Sequence, residues 1–247
     1  VGINLERMNF LRKIRDIFER KFFLNEFYND VQNLDEVLLE KRIEILKEIA
    51  NTKFTEIGLK NWNGKYLWFS DFNNEGIKHV VEYNVLKGFA GAFTFGNCFY
   101  CVPTISGKKL INHRTEKSTK IIYLKKTESW QKSIETQRHL NPDKISTTNE
   151  KRFRETLEKV LNKNLIKIEN WFKENDTIEK NIYSLKKDAE NPPFEIGTRI
   201  ISFEYILAFL NKEKSELKES EFWLNKHFKK GINSELEIEI LTNKIKN

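Results

Sequence analysis

The sequence predicts an α+β fold: N-terminal helices, an antiparallel sheet of about five strands between residues 54 and 125, and a helical C-terminal half. Three observations carry that expectation. Apolar residues recur at helical spacing before residue 50 and again after residue 150. Between those stretches the chain breaks into short segments rich in aromatic and β-branched residues. Asn-Gly and Gly-Asn pairs punctuate the segments, as tight turns require.

Taken in order, Leu5, Met8, Leu11, Ile14 and Phe18 place an apolar stripe on a first helix ending near Phe22 or Phe23. A second helix has Asn33 or Asp35 as candidate caps and a buried face of Val37, Leu38, Ile45 and Ile49, running through Ala50. From Phe54 strands are expected, with Asn63-Gly64 turning a hairpin between Leu59–Trp62 and Tyr66–Phe72. Asn73-Asn74-Glu75-Gly76 then leads into a strand over Ile77–Leu86. Residues 86–106 hold a single charge, Lys87, and so must be largely buried. Phe89, Phe93, Phe95 and Phe99 fall on odd positions, and Gly96-Asn97 fits a type II′ turn, which predicts a central hairpin; Ile121–Leu124 supplies one more strand.

After Trp130 and a polar loop around Asn141-Pro142-Asp143, the residues Phe153, Leu157, Val160, Leu161, Leu165, Ile168 and Phe172 define a long amphipathic helix. Ile178–Leu185 is a short successor. Pro192-Pro193 interrupts, an apolar run covers Ile200–Leu210, and a last long helix forms around Leu217, Trp223, Leu224 and Phe228. The tail from Ile238 is expected to fray or to form a short edge element. The organisation is a helix-plus-sheet region over 1–130 and a helical region over 131–247, packed as one unit.

Charge is distributed unevenly. The 247 residues carry a net charge of +7, and almost all of the excess lies between Gly107 and Lys126. There Lys108, Lys109, Arg114, Lys117, Lys120, Lys125 and Lys126 face a single acid, Glu116. Like charges so crowded repel unless an anion or solvent compensates them, which makes this segment the candidate binding surface. No run of about 18 apolar residues is present to span a bilayer, and the first thirty residues are charged, unlike a secretory signal. With only two cysteines, these features predict a cytoplasmic protein with no membrane association.

Cys98-Phe99-Tyr100-Cys101 has the spacing of a redox pair or half a zinc site. In a strand, however, residues three apart point to opposite faces with Cα atoms roughly 10 Å apart, too far for a disulfide, and His113 and His139 have no ligand-pair spacing. Two buried thiols and no metal are expected. His113-Arg114-Thr115-Glu116-Lys117-Ser118-Thr119-Lys120 joins an imidazole to cations and three hydroxyls, a set able to hold a phosphate; His113 is the one weak catalytic candidate. The same residues also suit a solvated loop that protects a sheet edge. Tyr100 and Tyr123, with Tyr66 and Trp68, are candidates for stacking on bases. Asp71, Glu75 and Glu82 surround the strand region as candidate oxygen ligands, yet scattered acids at turns are ordinary. No Walker A, Gly-x-Gly-x-x-Gly or Gly-x-Ser-x-Gly pattern is present.

The order of helix, Asn63-Gly64 hairpin, Phe-rich Gly-punctuated strands, basic loop leading to Trp130, and long helix ending Glu169-Asn170-Trp171-Phe172 resembles a family of uncharacterised bacterial domains. The likeness is one of layout, over residues 34–185. Some members of that family sit beside polymorphic toxins as candidate immunity proteins, so the resemblance implies a non-enzymatic partner-binding role in bacterial conflict or defence. Immunity proteins against basic nuclease toxins tend to be acidic, whereas this chain is basic and would suit an acidic toxin.

These observations lead to a non-catalytic binding protein, without cofactor, that engages an acidic protein partner through Lys108, Lys109, His113, Arg114, Lys117, Lys120, Tyr100 and Tyr123. The alternative is a protein that binds or cleaves nucleic acid with the same basic surface. A third reading, a phosphate-handling enzyme centred on His113, requires that residue to line a pocket with Arg114.

Overall fold

The computed structural model describes residues 17, 32, 34–107, 109–127, 143–191, 196–199, 202–231 and 234–246. The expected first helix, Asn33, Lys108, Trp130, His139 and Pro192-Pro193 lie outside them. The fold is α+β, with six α-helices among the described residues.

Helix α1, Leu39–Glu56, buries Ile45, Leu46, Ala50 and Phe54. It runs beyond the expected end at Ala50 because the Phe54 ring, one turn further, packs 5.0 Å from Trp68 and 5.3 Å from Phe93. Phe54 therefore belongs to the helix and not to a first strand. Asp35 does not cap α1. Its N–H instead donates to the Thr148 carbonyl at 2.8 Å, and Leu38, the residue before the helix, offers no side-chain cap.

Among the described residues the sheet has seven strands, all antiparallel. Six run in the order β1 (Asn61–Trp62), β2 (Leu67–Phe69), β3 (Ile77–Leu86), β4 (Ala90–Phe99), β7 (Tyr123–Lys126) and β9 (Ile196–Thr198), while β8 (Ile145–Ser146) pairs with the start of β4. A separate hairpin joins β5 (Thr104–Ser106) to β6 (Lys109–Ile111). The Asn63-Gly64 hairpin forms, but with a longer loop than a two-residue turn. Gly64 has φ +80°, and the Asn63 side-chain oxygen accepts from the N–H groups of Lys65, Tyr66 and Leu67, while Asn63 N–H closes the loop on the Leu67 carbonyl.

The largest departure is at Gly96-Asn97, which is no turn. Strand β4 passes straight through it, paired with β3 along its whole length, and the chain reverses earlier at Lys87-Gly88-Phe89, where Gly88 and Phe89 have φ +77° and +53°. The single charge of this stretch, Lys87, thus sits at an exposed turn, and ten consecutive residues of β4 are buried. Glycine is needed at 96 for proximity: a Cβ there would lie 2.0 Å from the Tyr123 carbonyl oxygen on the neighbouring β7.

The C-terminal half contains helices α2 (Glu150–Glu174), α3 (Ile178–Glu190), α4 (Phe203–Glu213), α5 (Leu217–Lys230) and α6 (Glu235–Lys246). Asn149 and Thr177 cap α2 and α3 with their side-chain oxygens. Helix α4 is buried on nearly every side, and its Tyr205 hydroxyl donates to the Pro103 carbonyl, fastening it to the chain that leaves β4. The tail after Ile238 is neither frayed nor an edge strand. It continues α6, with Leu241 and Ile245 buried. Nor is this half purely helical: it contributes β8 and β9, which sequence periodicity misses because strands of two and three residues carry no period.

One face of the sheet carries Trp68, Val81, Tyr83, Phe93, Phe95 and Tyr123 against the helices, with the Tyr83 and Phe153 rings 6.1 Å apart and those of Phe95 and Trp171 5.6 Å apart. The opposite face carries a small second cluster of Phe69, Val80, Cys98, Ile121 and Leu124. The chain from His113 to Ile121 contacts that face through Cys98, whose thiol donates to the His113 carbonyl at 3.6 Å. Among the described residues, no helix is long and apolar enough to cross a membrane.

Candidate functional site

The basic loop is built around His113, which is only 5% exposed. Its Nδ1 lies 2.7 Å from the Ser118 carbonyl and its Nε2 lies 2.9 Å from the Thr104 hydroxyl, so the neutral ring donates through Nδ1 and accepts through Nε2. Burial lowers its pKa, and the Lys120 charge adds to that, against the Ser118 carbonyl. Both ring nitrogens are occupied within the fold, and the ring is packed away from solvent. The phosphate-handling enzyme reading, which needed His113 to line a pocket, loses its central residue.

The three hydroxyls are occupied too. Thr115 and Ser118 cap each other reciprocally around a single 3₁₀ turn, Glu116–Ser118. The Thr119 hydroxyl donates to the Thr115 carbonyl and accepts from the Lys78 ammonium at 3.2 Å. What the loop presents outward is therefore predominantly cationic: Lys109, Arg114 and Lys117 are exposed, beside the single acid Glu116. Lys120 is half-buried, and burial together with the Arg199 charge lowers its pKa against the pull of Glu82. Lys125 and Lys126 belong to β7, Lys125 half-buried and Lys126 exposed.

The two candidate tyrosines separate. Tyr123 is 1% exposed and donates to the Asp188 carboxylate at 2.5 Å, so it is a core residue and no stacking platform. Burial and the adjacent carboxylate raise its pKa. Tyr100 is 45% exposed at the end of β4. The Arg114 guanidinium lies over its ring at 4.2 Å from the centroid and donates through Nε to its carbonyl at 3.3 Å. Trp68 is fully buried and Tyr66 half-buried, its ring 5.4 Å from Tyr83.

Two contributors carry no signal in the local sequence. The Phe72 ring meets the Tyr100 ring edge-on at 5.6 Å, and the ammonium of Lys78 caps Phe72 at 4.4 Å and Phe69 at 4.9 Å. Lys78 is 4% exposed, and no carboxylate among the described residues pairs with it. A continuous ladder of rings and cations results: Phe69, Lys78, Phe72, Tyr100, Arg114. Only the register, which sets Lys78 opposite Cys98, reveals it.

Both cysteines are free thiols on opposite sides of the sheet, Cys98 in the small cluster and Cys101 against the main core. Burial pushes them up to about 11 and about 12 respectively. Asp71, Glu75 and Glu82 do not converge: Asp71 accepts from Asn61, Glu75 from the Ile178 N–H, and Glu82 pairs with Arg199 at 2.5 Å. Among the described residues, no three His, Cys, Asp or Glu side chains gather as metal ligands.

The His113 lock has a consequence for acid stability. A histidine whose folded pKa lies below its unfolded value of 6.5 stabilises the fold fully above that pH and loses its contribution as pH falls through it. The urea midpoint should therefore drop between about pH 7 and about pH 5.5. Replacing His113→Gln should lower the midpoint at neutral pH yet flatten that drop; an unchanged slope would remove His113 as a contributor.

No family model, curated protein or solved structure matches this chain. The functional reading rests on its own geometry.

Proposed function

We propose that this chain is a non-catalytic binding protein that engages an anionic partner through the loop face formed by Lys109, Arg114 and Lys117 with Tyr100. The observation that carries it is the concentration of charge: a net +6 over residues 107–126, mounted on a strand end and a loop pinned by His113 from within. Cations held by a rigid scaffold lose little entropy when a partner docks, which favours recognition over a merely solvated edge. The resemblance to immunity-type domains is compatible with such a role in bacterial defence, as is a cytoplasmic setting.

The test is charge reversal. Lys108, Lys109, Arg114 and Lys117 changed together to Glu should abolish capture of anionic partners by the purified protein, while its urea midpoint stays close to that of the wild type. Lys120 is left intact because it is half-buried beside Arg199 and Glu82. Undiminished capture by a folded quadruple variant would sink the proposal.

A further inference from the structure

We infer that the anion is single-stranded nucleic acid, with a base stacked at Tyr100 and its phosphates along the loop cations. This deepens the loop-face reading above and rests on it. Tyr100 belongs to two environments at once. Arg114 covers its ring, and the Tyr100 side chain lines a cleft of about 610 Å³ together with Phe72, Asn74, Glu75, Glu213 and Lys214. The cleft therefore has an aromatic wall, amide groups, the carboxylates of Glu75 and Glu213 and one ammonium, that of Lys214, which is paired with Glu179, while the loop cations stand outside it.

That division of chemistry matches a nucleotide better than an acidic peptide. A base has a π-face for the exposed Tyr100 ring, and its amino groups can donate to carboxylates such as Glu213. Its phosphates are held by Lys and Arg on the adjoining surface. An acidic side chain entering the same cleft would meet two carboxylates, Glu75 and Glu213, against one ammonium, Lys214, that Glu179 already engages, and would gain nothing from a flat ring. The ladder from Lys78 to Arg114 also holds Tyr100 in place before any ligand arrives, with the Phe72 ring perpendicular to it and Arg114 on its face. Three exposed cations, Lys109, Arg114 and Lys117, extend the anion track beyond one phosphate, which suits a strand over a lone nucleotide.

The experiment uses the full chain and a labelled mixed-sequence single-stranded DNA of about 12 nucleotides. With three phosphates neutralised, affinity should fall about 20-fold between about 50 mM and about 200 mM salt. Tyr100→Ala should weaken binding about 10-fold or more, and Tyr100→Phe should stay within about twofold of wild type, because the ring supplies the contact. The exposure of Tyr100 allows both variants to fold, and their urea midpoints check it.

Binding that is indifferent to Tyr100→Ala in a folded variant overturns the stacking site. So does a duplex of the same sequence that competes as well as the single strand. If the oligonucleotide fails to bind at the lower salt while a polyglutamate peptide binds, this inference falls and the loop-face proposal stands. If neither probe binds, both fall.

Discussion

Gly96→Ala is expected to prevent folding or to cost at least about 4 kcal/mol. The ideal Cβ would lie 2.0 Å from the Tyr123 carbonyl, 2.8 Å from the Leu124 Cα and 2.8 Å from an Ile121 side-chain carbon. Two of these three contacts are backbone, so no rotamer change relieves them. Relief requires β7 to move away from β4, which breaks the pairing that holds Tyr123 and Leu124 in the sheet. Gly64→Ala is the contrast. Its φ of +80° is strained for alanine, yet nothing lies within 4 Å, so it should cost only about 1 kcal/mol. Thermal and urea unfolding of the two variants measure the difference. A soluble Gly96→Ala protein within about 1 kcal/mol of wild type would show that β4 and β7 are not packed as described.

Asn97→Leu should rank next, costing about 3 kcal/mol or more despite similar volume and added hydrophobicity. Asn97 is fully buried and satisfied on both sides of its amide. Its oxygen accepts from His79 Nδ1 at 2.8 Å, and its nitrogen donates to the Asn175 carbonyl and to the Asn181 side chain, each at 2.9 Å. Asn181 in turn donates to the carbonyls of Asn175 and Thr177, so the network joins mid-sheet to the α2–α3 corner. Leucine would leave His79 Nδ1 and the Asn181 side-chain oxygen without their partner and take one of two donors from the Asn175 carbonyl, and each buried group left unpaired costs about 1–3 kcal/mol when counted singly. Asn97→Asp separates the parts: it can still accept from His79 but loses both donor bonds. Equal stability of wild type and Asn97→Leu by urea unfolding would mean that water satisfies the orphaned groups.

The same dipeptide, Gly96-Asn97, shows where local reading stopped. Taken alone, Gly followed by Asn between apolar residues is a turn signal, since both tolerate positive φ. In the fold neither uses that freedom: glycine is there for the approach of β7, and asparagine for partners 78 and 84 residues away. The tyrosines make the same point. Tyr100 and Tyr123 are both aromatic residues near basic ones, and nothing local tells them apart. Asp188 and the main core claim Tyr123, whereas the end of β4 leaves Tyr100 exposed. Phe54 reads as the start of a strand in the sequence because its ring partners, Trp68 and Phe93, are distant along the chain.

Much of the design is nonetheless local. The chain's own periodicity determines α2, with its Asn149 cap and its buried Phe153, Leu157, Val160, Leu161 and Ile168. Hydrophobicity without charge determines the burial of β4, and the positions of Lys and Arg determine where the excess charge lies. These properties depend on residues within a turn or two of each other, which a sequence displays directly. Tertiary structure alone decided the sheet order, the site of chain reversal, the internal locking of His113 and the assembly of Lys78, Phe72, Tyr100 and Arg114 into one surface. Each of those depends on contact between segments far apart in the chain. Such contacts are selected by packing and by the pairing of buried polar groups, which act through space and leave no period in the sequence.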